Sequence, residues 1–109
     1  MRAIVIDPAK REVREHDTDG RLKDLQSVVG GNIEAIYLDG WVPELADFHL
    51  YLNEEGRMIP EIAVQRWALR GWPEGWLCGP AILLSDDGFG GEAGVSVSVV
   101  SVQELVTFL

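Results

Sequence analysis

The sequence predicts a single α+β domain, built on a mainly antiparallel sheet of five or six strands with three helices in the order ββαββαββα. Three observations lead there. The chain has 109 residues, a length that suits one domain. Its hydrophobic content of 47% and charged content of 25% are those of an ordinary globular interior and surface. Short alternating runs are interleaved with segments of helical spacing, and no period of 20 to 50 residues repeats. Helices packed mostly on one face of the sheet would complete the core; the first helix, crossing between strands, leaves room for one parallel pairing, and a β-grasp arrangement would share the opening hairpin and helix.

Ala3-Ile4-Val5-Ile6 is a β-branched run that breaks at Asp7-Pro8, and Arg11 to His16 sets polar side chains around Val13. Together they predict a hairpin turning at Pro8-Ala9-Lys10, its second strand at an edge or with one wet face. Asp17-Thr18-Asp19-Gly20 ends that strand and offers an oxygen to cap a helix bearing Leu22, Leu25, Val28 and Val29. Gly30-Gly31 stops the helix, because glycine enters the left-handed conformation without steric cost.

Ile33 to Leu38 and Phe48 to Leu52 read as antiparallel neighbouring strands, separated by Asp39-Gly40-Trp41-Val42-Pro43. His49 alternates with Phe48 and Leu50, so a solvated histidine on the face away from the core is expected. From Pro60 the spacing of Val64, Trp67 and Ala68 predicts a helix closed by Gly71. Trp76 to Leu84 reads as a bend and a buried strand, with the single thiol, Cys78, as a small buried residue. A loop from Ser85 to Gly94 with four glycines and three acids follows. Val95, Val97 and Val99, alternating with Ser96 and Ser98, form the clearest strand signal in the chain. Ser101-Val102-Gln103-Glu104 matches a capping box, with Val100 and Leu105 as its hydrophobic staple, and predicts a C-terminal helix.

Four blocks occur in a recognisable order: Ala3-Ile4-Val5-Ile6-Asp7-Pro8, the stretch Leu25-Gln26-Ser27-Val28-Val29-Gly30-Gly31-Asn32-Ile33-Glu34, then Leu52-Asn53-Glu54-Glu55-Gly56, and Gly79-Pro80-Ala81-Ile82. In them the chain resembles a family of small uncharacterised proteins of bacteriophages, mobile elements and their hosts. The resemblance covers residues 1 to about 84, and Val-Gly-Gly-x-Ile-Glu is its most specific part. It implies a cytoplasmic protein linked to mobile DNA, with no known reaction and no catalytic residues to carry over. Arg66 to Trp76 matches no part of that pattern and reads as a specialisation of this protein.

Charge narrows the function classes. Nine basic against 18 acidic side chains leave a net charge of −9, which disfavours direct nucleic-acid binding because a polyanion is repelled. Charged residues, Gly or Pro interrupt every stretch well short of a bilayer span, so no membrane partner is expected. One cysteine permits no internal disulfide, in keeping with a cytoplasmic location.

Chemistry-bearing residues are sparse. His16, His49 and Cys78 fall on different elements, which suits neither a metal site nor a nucleophile with its base. No cofactor and no catalytic residue is therefore expected. Gly88-Phe89-Gly90-Gly91 lacks the following helix and the lysine of a phosphate cradle. The densest unusual feature is Arg66 to Trp76, with Trp67, Trp72 and Trp76 in eleven positions and Arg66 and Arg70 one helical turn apart. Arginine and tryptophan are the residues most enriched at binding hot spots. Trp67 reads as core, while Arg66, Arg70, Trp72 and Trp76, with the loop acids Asp86, Asp87 and Glu92, form the expected binding surface. The favoured function is a non-enzymatic interaction module whose partner is a host or element-encoded protein, or a second copy of the chain. The alternatives are a nucleotide-binding protein, its indoles stacking a base under the glycine loop, and a DNA mimic using the acidic surface.

Overall fold

Strand β1 (Arg2–Asp7) is apolar at every position from Ala3 to Ile6 because both of its faces are covered. In this computed structural model, which describes residues 1–109, β1 pairs antiparallel with β2 (Glu12–Asp17) through the expected hairpin. The main sheet runs β2-β1-β7-β4-β3, with β3 at Ile33–Tyr37, β4 at Phe48–Asn53 and β7 at Ala81–Asp86. Strand β2 is indeed an edge. A two-residue strand β8 (Glu92–Ala93) folds back on the end of β7, alongside the stretch that β1 leaves open. Every pairing is antiparallel, so the parallel option is not taken.

Helix α1 (Leu22–Val29) lies on one face, burying Leu25 and Val29 against Ala3, Val5, Ile82 and Leu84. Gly30 stops it in the left-handed conformation, φ +83°, and its N–H returns to the Gln26 carbonyl. The expected cap is displaced: Arg21 is the N-cap residue, without a side-chain bond, and Asp19 receives the Arg21 N–H just outside the helix.

The opposite face carries a second, three-stranded sheet that no local sequence pattern announces. Its order is β6-β5-β9, with β5 at Arg66–Leu69, β6 at Leu77–Cys78 and β9 at Val106–Phe108. Trp67, Leu69 and Leu77 close the larger core against Ile4, Ile6, Leu50 and Leu83. Helix α3 (Val99–Gln103) adds Val102 to the same core, so helices occupy both faces of the main sheet and not mostly one.

Three expected elements change type. The helix from Pro60 is a single turn, α2 (Pro60–Ala63), and Arg66–Leu69 is strand. Val64, Trp67 and Ala68 fit a helical period, yet Trp67 and Leu69 also fit a period of two. Pairing with β6 and β9 decides in favour of the strand. The run from Val95 to Val99 does not pair as a strand, because β1 and β8 already fill that side of β7. Instead Val95 donates its N–H to the Arg2 carbonyl, and the Arg2 guanidinium donates to the carbonyls of Val95 and Val97. Ser98, not Ser101, caps α3, accepting the Ser101 N–H at 3.0 Å, and the chain ends as β9 and not as a helix.

Candidate functional site

The tertiary structure divides the predicted surface into three places. Trp67 is wholly buried in β5, its indole N–H donating to the Gly79 carbonyl at 3.0 Å. Strand alternation then turns its neighbour Arg66 outward. Trp76 ends the loop that returns from β5 to β6 and sits half-buried on the outer side of this small sheet. The Arg66 guanidinium lies over the Trp76 ring at 5.4 Å from its centroid. A second arginine, Arg57, arrives from a 3-10 turn (Gly56–Met58), covers the same ring at 4.3 Å and donates to the Trp76 carbonyl at 2.7 Å. Both arginines are exposed, and neither has a carboxylate within ion-pair reach.

A guanidinium over the face of an indole gains cation–π attraction and keeps N–H groups that can still meet acceptors. Arg57, Trp76 and Arg66 therefore form a cationic aromatic patch. Beside it Arg57 also lines a pocket of about 270 Å³, together with Glu34, Glu54, Glu55 and Cys78. Burial pushes the Cys78 thiol up from its ordinary range, which keeps it in the protonated form.

Trp72 and Arg70 belong elsewhere. The Trp72 ring is half-buried against the larger core and meets the exposed Trp41 edge-on at 6.4 Å, while Arg70 is paired with Glu44 at 3.4 Å. Arg66 and Arg70 are not neighbours on a helix: one is in β5 and the other in the turn beyond it.

The acids of the glycine loop form a third locality, on the α1 face of the main sheet. Asp86 and Asp87 accept backbone N–H groups of Gly88, Phe89 and Gly91 and so shape their own loop. Glu92 is clasped by His49, at 2.9 Å, and by the Tyr51 hydroxyl. His49 is 6% exposed, which corrects the expectation of a solvated ring: β4 is covered on both faces, and His49 packs between Tyr37 and Tyr51. Burial, together with the hydrogen bond and charge of Glu92, raises the Tyr51 hydroxyl well above the ordinary tyrosine range. This clasp pins β8 to the sheet. It lies across the main sheet from Trp76, so the loop acids do not join the arginine–tryptophan patch. No three His, Cys, Asp or Glu side chains converge as metal ligands do, and no helix is long and apolar enough to cross a membrane.

A family model described as a domain of unknown function (DUF3846) matches residues 1–107. The chain belongs to that family. The family span runs past residue 84 and takes in Arg66 to Trp76, further than the resemblance seen in the sequence. No curated protein and no solved structure matches the chain.

Within this DUF3846 domain, sequence reasoning missed Arg57, which reaches Trp76 across 19 residues with no local pattern to announce it. The clasp did leave a signal. His49 and Tyr51 recur at a period of two opposite Leu50 and Leu52, a polar stripe on an otherwise apolar strand. Its partner Glu92 becomes visible only once β8 folds back on β7.

Proposed function

We propose that this chain is a non-enzymatic interaction module that binds a protein partner through Arg57, Trp76 and Arg66. The partner would present a carboxylate-rich segment. One observation carries the reading: two exposed guanidinium groups share one half-exposed indole and remain without carboxylate partners, in a chain with twice as many acids as bases. Surplus acids on the same molecule would ordinarily pair with such cations, and an indole flanked by arginines has the composition of a binding hot spot. A host or element-encoded protein of the cytoplasm, as the resemblance to phage and mobile-element proteins implies, is the expected partner. We place the nucleotide reading second, because the glycine loop and Trp76 lie on opposite sides of the main sheet and two guanidinium groups already lie over the indole.

The test is quantitative capture from a lysate of a cell that naturally carries the protein. Wild type is compared with Arg57→Glu/Arg66→Glu and with Trp76→Ala, each first shown to be folded by circular dichroism. The expected result is a captured protein that both variants lose and whose contact, mapped by cross-linking, is acidic. Retention of every captured protein by the folded charge-reversal variant would overturn the proposal.

A further inference from the structure

The two edges of the main sheet differ. Strand β2 is lined with charge, and its side chains form ion pairs: Arg14 with Asp7 and Glu12, and Glu15 with Arg2. Such an edge resists pairing with another strand. Strand β3 reads Ile-Glu-Ala-Ile-Tyr, with a single charge and no covering element, and Tyr37 at its end is 66% exposed.

The hydrogen-bond phase of β3 follows from its neighbours. The Glu54 N–H donates to the Asn32 carbonyl at 2.8 Å, and the Leu38 N–H donates to the Phe48 carbonyl. In the β3–β4 register, antiparallel alternation gives Glu34 and Ile36 the same inward role. The N–H and C=O groups of Ile33, Ala35 and Tyr37 therefore point away from β4. None of them has a backbone or side-chain partner within the chain.

We infer that β3 pairs with β3 of a second copy of this chain, antiparallel about a two-fold axis at Ala35, joining two main sheets into one. This register is self-complementary. Ala35 faces Ala35 of the second copy and Ile33 faces its Tyr37, so all three outward residues meet in hydrogen-bonded pairs. On the α1 face an aromatic ring then packs on a β-branched side chain, a favourable cross-strand pair. On the other face Glu34 lies opposite Ile36 of the second copy, and the two Glu34 carboxylates are not apposed. A self-pairing of β2 would instead bring its charged side chains together.

A five-residue edge falls below the size of a standard interface, so a weak dimer is expected, with Kd on the order of 0.1 mM. Each copy carries a charge of −9. Added salt should therefore tighten the dimer by screening repulsion, whereas it would weaken contacts of Arg57 and Arg66 with carboxylates. The two proposals can thus fail separately.

The experiment is residue-resolved amide exchange by NMR on the full chain, from ~20 µM to ~1 mM, with sedimentation velocity over the same range. For that affinity, the Ile33, Ala35 and Tyr37 amides should exchange about fourfold more slowly at the upper concentration. Glu34 and Ile36, bonded to β4, should be protected throughout. Ala35→Pro removes an outward N–H and leaves the β4 bonds intact, a tolerated edge position, and should abolish the dimer while keeping the Glu34 and Ile36 protection. A monomer at every concentration and salt level would overturn the inference. So would a dimer that survives in folded Ala35→Pro or protects amides elsewhere.

Discussion

Trp67 and Trp76 lie nine positions apart in the same segment, and the structure predicts opposite consequences of truncating them. Trp67 is fully enclosed in the core of 16 buried residues. Removing a buried indole of this kind costs about 3–5 kcal/mol, a large part of the ~5–15 kcal/mol total for a domain. Trp76 is half-exposed and loses two surface cation–π contacts, each about 0.5–1 kcal/mol, so its removal should cost about 1 kcal/mol. With a urea m-value of about 2 kcal/mol/M, Trp67→Ala should lower the unfolding midpoint by about 2 M and Trp76→Ala by about 0.5 M. Trp67→Phe covers the case in which Trp67→Ala fails to fold. It keeps a ring but leaves the Gly79 carbonyl without its donor, and should fall between the two. Equal midpoint shifts for Trp67→Ala and Trp76→Ala, at unchanged m, would refute the assignment of one indole to the core and the other to a surface.

Three further outcomes follow from the same geometry. Burial opposes ionisation of Asp7, but hydrogen bonds from Arg14 and the Lys10 N–H, with both their charges, outweigh it and hold the carboxyl below its ordinary value. Its stabilisation is therefore complete above the unfolded value of about 3.9 and lost as pH falls through the lower folded value, so Asp7→Asn should flatten the acid limb of a stability profile measured by thermal unfolding. Gly79→Ala should destabilise by more than Gly75→Ala in urea titrations, about 2 against about 1 kcal/mol. Both glycines have φ near +80°, but a Cβ at Gly79 would stand 2.6 Å from Ile62 Cγ2 and one at Gly75 would meet nothing. In alkaline titration followed at 295 nm, Glu92→Gln should move the Tyr51 transition down toward the ordinary value, because part of the upward shift comes from the Glu92 carboxylate; an unmoved transition would remove Glu92 from the clasp.

How far the candidate site could be read from the chain depended on distance. Arg66, Trp76 and Glu92 stand out in the sequence because their residue types or settings are locally unusual. Their grouping was not legible, because Arg57 joins Trp76 from a different turn and Glu92 joins His49 and Tyr51 across the sheet. Arg70 and Trp72 drew attention through proximity in sequence alone, and strand β5 separates them from Arg66.

By itself the sequence determined the elements whose signals are local. These are the opening hairpin, α1 with its glycine stop, the β3–β4 pair and the buried β7, where side-chain period and glycine chemistry act within a few residues. Tertiary structure alone decided the small second sheet, the terminal strand β9 and the irregular Val95–Val99 run. Short segments such as Arg66–Leu69 fit helix and strand periods equally well, so the available partner strand selects the conformation. The strongest alternating pattern, from Val95 to Val99, stayed unpaired because β1 and β8 already occupied the edge it needed, and a strand without an edge to bond to has no ladder to join.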